Sequence, residues 1–508
     1  MTITTLEMRV LETNTVALGV PLKMLMEAAG KSIADYIASQ YRSDDVGKIV
    51  VMVGKGGNGG DGLVAARYLS SRGFNVEVLP AYSFKEIEHP DTRYNLEVVR
   101  RIDSIKIHRP GNKDPLKDAD IIIDGLLGTG VKGELREPIR GLVEEANNVK
   151  TKLKVAIDTP SGLNPDTGEI HGIAFKADVT ITFHDIKPGL QYKPDYTGKV
   201  IVANIGIPRE AQIYVGPGDV IHRLPPRPRN AHKGVCGRIA IIGGSHKFTG
   251  APALTGLTAL AAGSDLAFLI VPDDVRGIIA SYSPELITLP YQGTYLGVED
   301  VKIVIEYIEQ SRPHVVVIGP GLSDRPETLE AIKKLLPILL EKNLYLVVDA
   351  DALKTIVLDE MVFNNKAVLT PHRGEFQRIS NQKLTGDLRN DGLIVSRVAF
   401  KLKATILLKA PIDIISNGID VRYNRTGNPY MSIGGTGDVL SGLVASFLAR
   451  TKDPYVSAYV AAYINGLAGD YLLSKNMKVS PTKIIEVIPT ILNKTLDIHL
   501  ETYISKTI

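Results

Sequence analysis

SIGGTGDVLSGLVASFLA, Ser432 to Ala449, sets glycines 434, 435 and 437 directly before an apolar run that reads as a helix starting near Asp438. A loop of this composition turns several backbone N–H groups toward one point at a helix N-terminus, which makes an anion hole. Asp438 stands where its carboxylate can take a proton from an attacking hydroxyl. Anion hole and base together are what phosphoryl transfer to an alcohol requires. The same carboxylate can instead be a helix-start charge, with Thr436 as the cap. Upstream, LLKAPIDII (Leu407 to Ile415) reads as a hairpin that offers Lys409 to a nucleotide phosphate. TPHRGEF (Thr370 to Phe376) puts His372 and Glu375 after a strand at a helix entrance, where His372 is either a substrate contact or a capping residue. GPGL (Gly319 to Leu322) adds a glycine loop, and VVDADAL (Val347 to Leu353) adds a strand-end acid pair in which Asp349 is either functional or structural.

A second set of residues lies near the amino terminus. In VGKGGNGGDGLVAARYL (Val53 to Leu69), Gly54 to Gly59 fit the G-x-G-x-x-G spacing and follow the apolar run KIVVMV. Strand, tight turn and helix in that order let a ligand approach the backbone. Glu77 falls near the position of a ribose-binding acid. No Gly-Lys-Ser/Thr closes the stretch, so it is not a P-loop. Asp61, expected in the first helical turn, would repel a pyrophosphate there. Asn58 and Asp61 instead offer oxygens to a cation or to ligand hydroxyls; the plainer alternative is a glycine-rich turn with Asp61 complementing the helix dipole. Asp124 ends ADIIID ahead of GLLGTGVKG (Gly125 to Gly133), and Asp158 ends KVAID with Ser161 just beyond. Two strand-end carboxylates with Asn and Ser oxygens can coordinate one hard cation, and Gly128 to Gly133 can embrace a phosphate or ribose. A lone strand-end Asp is as readily a helix cap or turn residue, but three such motifs on one sheet edge favour a site.

These residues need two scaffolds. Near-continuous apolar runs (KIVVMV, NVEVLP, ADIIID, KVAID and ADVTITF) alternate with helical stretches in the first half, which predicts a parallel sheet covered on both faces. HRLPPRPRNAHKG (His222 to Gly234) interrupts the rhythm and reads as a linker or entry strap. RIAIIGG, LAFLIVP, HVVVIGPGL, LYLVVDADAL, KAVLTPH and ATILLK then restart it as a second, larger α/β unit. A length of 508 residues agrees with two or more domains, and 44% hydrophobic with 23% charged residues describes a globular chain. A net charge of +3 from 59 basic and 56 acidic residues argues against a dedicated nucleic-acid surface. Cys236 is the single cysteine, so neither an intrachain disulfide nor a cysteine-built metal site is available. The start, MTITTLEMRVLE, lacks an apolar signal core, and the most apolar stretch, Leu254 to Val271, is broken by Ser264-Asp265. A cytoplasmic enzyme or binding protein, away from membranes, is expected.

GKGGNGGDGLVAARYL, DGLLGTGVKGELREP and AIDTPSGLNPDTG resemble the NAD(P)H-hydrate epimerases, whereas GGSHKFTGAPALTGLTAL, GPGL, DADAL, TPHRGEF and GGTGDVLSGL resemble the ADP-dependent NAD(P)H-hydrate dehydratases. The whole chain is similar to the fused bifunctional repair enzymes of bacteria and archaea. The resemblance implies a Rossmann-like epimerase domain over residues 1–215 and a ribokinase-like dehydratase domain over 216–508. The substrates it implies are the R and S hydrates of NADH and NADPH, with ADP as co-substrate and AMP and phosphate as products. It further implies potassium on Asn58, Asp124 and Ser161 and hydrate contacts from Gly57, Asn58, Gly59, Gly60 and Asp61. Gly128, Thr129, Gly130, Val131, Lys132, Gly133, Glu134 and Asp158 complete that first hydrate site, with Asp158 as candidate acid/base. In the second domain the hydrate would meet Ala253, Gly321, His372 and Asp438, the last as catalytic base. ADP, with Mg2+, would be held by Lys409, Ala410, Pro411, Ile412, Asp413 and Gly437, and a homo-oligomer is expected.

Two positions depart from the family pattern: Gly57 stands where a second asparagine is common, and Ala410 where glycine is favoured. Both put ligand affinity in question, and neither removes a base or cation ligand. A small-molecule kinase that uses ATP and releases a stable phosphoester would share GGTGD, but TPHRGEF and the attached first domain argue against it. An RNA-associated scaffold built on the first domain is disfavoured by the near-neutral charge and the retained Asn58, Asp124 and Asp158.

Overall fold

The computed structural model describes residues 2–128 and 133–504, with side chains as far as residue 496. It forms two compact units that divide between Ala211 and Gln212.

Among the described residues, the first unit is built on seven strands: β1 (Ile49–Val53), β2 (Val76–Pro80), β3 (Ile105–Ile107), β4 (Ile121–Gly125), β5 (Leu153–Ile157), β6 (Val179–Phe183) and β7 (Lys199–Ala203). Their order is β3-β2-β1-β4-β5-β6-β7 and every pairing is parallel. Successive side chains of a strand point to opposite faces, and both faces are buried here. Ile49, Val51, Val53, Ile121 and Ile123 pack with Ile33, Ile37, Leu63 and Leu69 on one side. Val50, Met52 and Ile122 pack with Ile139, Leu142 and Val143 on the other. This accounts for the near-continuous apolar runs. The strand order reverses between β1 and β4, so the crevice of an open parallel sheet opens at their carboxyl ends. That is where the first set of motifs sits.

The second unit carries β8 (Arg238–Ile242), β9 (Leu266–Pro272), β10 (Leu286–Tyr291), β11 (Val315–Ile318), β12 (Tyr345–Val348), β13 (Ala367–Leu369), β14 (Thr405–Leu408), β15 (Asp413–Ser416) and β16 (Val421–Asn424). Their order is β10-β9-β8-β11-β12-β13-β14-β15-β16. Pairing is parallel as far as β14, and β15 and β16 then return antiparallel, so LLKAPIDII is the hairpin expected of it. The two faces are again both covered: Ile239, Ile241, Val315 and Val317 meet Leu443, Val444 and Phe447, while Ala240, Ile242, Val316 and Ile318 meet Leu335 and Leu339. The helix Thr436–Thr451 is apolar on all sides because it is buried on all sides, as such helices are. Gly442 lets it cross the helix Gly250–Ala261 closely, since a Cβ there would lie 2.4 Å from the Thr255 carbonyl oxygen.

The short helix Pro217–Arg223 belongs to this second unit. Its Asp219 accepts two hydrogen bonds from the Arg422 guanidinium of β16, at 2.7 and 2.8 Å, and both residues are buried. No helix of the described residues is long and apolar enough to cross a membrane.

Candidate active sites

At the end of β1 the chain runs so close to the segment after β4 that a Cβ on Gly54 would sit 1.8 Å from the Leu126 carbonyl oxygen. Only glycine permits that approach. It seats Asn58 over Gly128, where a Cβ would lie 2.3 Å from Asn58 Oδ1. Asn58 Nδ2 donates to the carbonyl oxygens of Ile157 (2.8 Å) and Leu127 (3.3 Å). Ser161 Oγ donates to Asp124 Oδ1 at 2.7 Å and accepts from Leu127 N at 2.9 Å. The Ser161 and Leu126 amides donate to Asp124 at 2.8 and 3.2 Å. Asn58, Asp124 and Ser161 therefore gather around the Leu127 backbone.

Burial pushes the Asp124 carboxyl up to about 6, against the pull of its hydrogen bonds from Ser161 and Leu126. Each of those donors is neutral, so a cation would supply the missing positive charge. No three His, Cys, Asp or Glu side chains cluster as a metal site among the described residues. The donor set here is instead one carboxylate among neutral oxygens, which suits a weakly charged hard cation.

Asp158, at the end of β5, is engaged differently. Its Oδ1 accepts from Lys187 Nζ at 2.5 Å, Thr182 Oγ1 at 3.0 Å and Phe183 N at 3.2 Å. The expectation that both strand-end carboxylates serve one cation is thereby corrected: Asp158 already has a cationic partner. Lys187 was missing from the residues singled out in the sequence. Its one signal is a lysine-proline-glycine following the apolar run of β6, and its partner is 29 residues away.

Two further expectations change. The helix begins at Gly57, so residues 57–61 are helical and Asp61 lies in the second turn. Asp61 is buried, and burial, followed by repulsion from Asp158 and Glu12, holds its carboxyl well above the ordinary range. Glu77 is not at the ligand edge either. It is the second residue of β2, level with Val50, and is bound to His108 Nε2 at 2.6 Å with Lys106 and Lys48 nearby. Thr129, Gly130, Val131 and Lys132 lie outside the described residues, while Gly133 and Glu134 are exposed beside Arg136 and Arg140 in an open groove.

In the second unit, Gly435 caps the helix Thr436–Thr451 at φ +96°, a conformation that favours glycine. Thr436 is not the cap. Its hydroxyl donates back to the carbonyl oxygens of Met431 and Ile433 at 3.0 and 2.9 Å. The first-turn N–H groups of this helix have no intrahelical acceptors. Next to them stands a partly buried ion pair: Lys409 Nζ donates to Asp349 Oδ1 at 3.0 Å, and Ser441 Oγ to Asp349 Oδ2 at 2.6 Å. Gly437 adjoins that pair: a Cβ there would make an ordinary contact, 3.5 Å from Lys409 Nζ. Burial acts to raise the Asp349 carboxyl, but the Lys409 charge and the hydrogen bonds outweigh it and hold it low. Asp438 is half-buried, and burial with Asp349 repulsion, opposed by Lys409, pushes it up to about 7. A group of that acidity is poised to exchange protons at neutral pH.

The surrounding candidates converge on the same sheet edge. His372 forms a parallel bridge with Lys409, and its Nδ1 caps the helix Arg373–Ser380 by accepting from Gly374 N and Glu375 N at 3.0 and 3.2 Å. The imidazole remains mostly exposed, and its Nε2 lies 3.5 Å from Glu375 Oε1. Asp413 accepts from Ala410 N and Asn424 Nδ2, both at 3.0 Å, and burial pushes its carboxyl up to about 6. The Lys409–Asp413 turn is thus braced by its own last residue. Gly321, at φ +70°, backs onto Phe248, and Ala253 is buried in the helix Gly250–Ala261.

The chain matches a family model described as "YjeF-related protein N-terminus" over residues 22–189 and one described as "NAD(P)H-hydrate dehydratase" over residues 239–490. A bifunctional NAD(P)H-hydrate repair enzyme Nnr from Hyperthermus butylicus is 42% identical, covering 97% of this chain and 93% of that protein. The protein of the same name from Archaeoglobus fulgidus is 40% identical, covering 95% and 97%. Among solved structures, hypothetic protein SMU.573 from Streptococcus mutans has a TM-score of 0.50 at 23% identity, over 56% of this chain and 100% of that one, a likeness of fold alone.

Proposed function

The chain belongs to the family of bifunctional NAD(P)H-hydrate repair enzymes, and from that premise we propose how its parts divide the work. Residues 1–215 interconvert the R and S hydrates of NADH and NADPH. The hydrate meets residues 57–61, 128–134 and Asp158, with Asp158 as the proton-exchanging group. Asn58, Asp124 and Ser161 hold potassium, a reading supported by the buried, neutrally solvated Asp124 carboxylate. When bound, the ion supplies a positive charge and a coordination point for a ligand oxygen.

Residues 216–508 dehydrate the S epimer with ADP. Asp438 takes the proton of the C6 hydroxyl as its oxygen attacks the β-phosphate and AMP departs. Phosphate then leaves C6 with the push of the ring nitrogen while C5 loses a proton, which restores the double bond. The helix start at Gly435 to Gly437 stabilises charge on the transferring phosphoryl group. Lys409, Ala410, Pro411, Ile412 and Asp413 with Gly437 hold the nucleotide, while Ala253, Gly321 and His372 contact the hydrate. Magnesium accompanies the diphosphate and offsets part of its charge.

The observation that carries this reading is the placement of Asp438 in the first turn of a glycine-capped helix, beside the Lys409–Asp349 pair. The decisive experiment incubates the purified chain with epimer-resolved hydrate, with and without ADP. R-to-S conversion without nucleotide, and NAD(P)H with AMP and inorganic phosphate only when ADP is present, are expected. A stable phosphoester made from ATP would instead make the second domain a kinase. The working form is a cytoplasmic homo-oligomer, which sedimentation of the purified chain and cell fractionation would check.

A further inference from the structure

Lys187 has no exposed surface, yet it is a lysine. Its ammonium has three protons and three partners: Asp158 Oδ1 at 2.5 Å, Phe183 O at 2.8 Å and Thr182 Oγ1 at 3.1 Å. Nothing is left over for a substrate, so Lys187 does not act on the hydrate directly. Asp158 is the asymmetric partner. Oδ1 receives all three hydrogen bonds made to its side chain, and no donor reaches Oδ2 among the described residues.

The backbone around this pair is tightly turned. Asp158 and His184 sit in the left-handed region, at φ +59° and +67°, which is strained for a residue with a side chain and tends to be kept at functional sites. Tight turns accompany both: Thr159 N donates to Ile157 O at 2.6 Å, and Asp185 N donates to Phe183 O at 2.8 Å. The loop carrying Lys187 is tied down in turn, since Ile3 N donates to Ile186 O at 2.8 Å.

We infer that Lys187 is the positioning residue of epimerisation, holding Asp158 by Oδ1 so that Oδ2 alone exchanges the proton of the hydrate. This rests on the assignment of Asp158 above and deepens it. The C6 carbon of the hydrate bears both the hydroxyl and the ring nitrogen N1. When Oδ2 takes the hydroxyl proton, the freed oxygen pair forms an aldehyde C=O and the C6–N1 pair passes to nitrogen, delocalised toward the carboxamide. Rotation and reclosure on the other face return that pair to C6, the carbonyl pair to oxygen and the proton from Oδ2. No atom is lost and nothing is oxidised.

The test uses the full chain, with epimer-resolved hydrate across pH 5–9 and ADP-dependent dehydration of pure S hydrate as internal control. In Lys187→Met, enzyme-dependent epimerisation should fall roughly tenfold or more in kcat, with KM within about twofold. A folded variant with an unchanged kcat overturns the inference. If the single variant fails to fold, Asp158→Asn is compared with Asp158→Asn/Lys187→Met, which removes both charges together. Equal activity in the two supports action through Asp158, and a further tenfold loss in the double variant overturns it. Full activity in Asp158→Asn alone would remove the assignment of Asp158 itself, and absence of epimerisation by the unaltered chain would remove the proposed function.

Discussion

Asp438 carries the sharpest expectations at the level of single residues. As a base it must be ionised, so kcat for dehydration should rise with pH through about 7, where its carboxyl titrates. Asp438→Asn keeps a hydrogen-bond acceptor but not a base, and dehydration should drop by roughly 10²–10⁴-fold with ADP affinity and epimerisation little changed. Stability gives a second readout with its own sign. The folded carboxyl keeps its proton up to about 7 while the unfolded one releases it near 3.8. The folded state therefore binds more protons in that window, and this group favours folding less as pH rises. Calorimetry should find that Asp438→Asn stabilises the second unit more at pH 8 than at pH 4. In the first unit, Asp124→Ala should slow R-to-S conversion while leaving dehydration of pure S hydrate intact, and equal loss of both would point to a folding defect. Asp438 was legible in the sequence because glycines and acid are adjacent there. Lys187 was not, because a buried lysine announces itself only through a partner brought near by strands β5 and β6.

Elements were legible where burial is two-sided. β1, β4, β5 and β8 are read directly from continuous apolar runs, since both of their faces meet helices. β7, the edge strand KVIVA, is only partly covered, and β3 has three residues, so neither carries that pattern. β16 hides its role for another reason: VRYN holds an arginine that only the helix Pro217–Arg223 explains. A fragment beginning at residue 225 would take Asp219 from Arg422, a defect costing about 3–5 kcal/mol, together with the buried Val215, Val220 and Leu224. One beginning at residue 212 keeps the pair. Chemical denaturation of the two fragments should separate them by at least that amount, and equal midpoints would mean that neither the pair nor this core segment contributes.

For the whole molecule, the alternation of apolar runs foretold two parallel-sheet units, and each indeed has its own strand order and its own paired cores. Residues 1–215 made alone should therefore fold and epimerise without nucleotide; an insoluble or inactive product would show that this segment needs the rest of the chain. The Asp219–Arg422 pair also has a consequence in time. Its members are 203 residues apart, and at a synthesis rate of about 5–20 residues per second the arginine emerges roughly 10–40 s after the aspartate. Throughout that interval the first sheet is already complete while the short helix bearing Asp219 has yet to meet Arg422. The second sheet cannot close its antiparallel edge until β16 arrives, so the order of translation itself makes the epimerising half the first to mature on the ribosome.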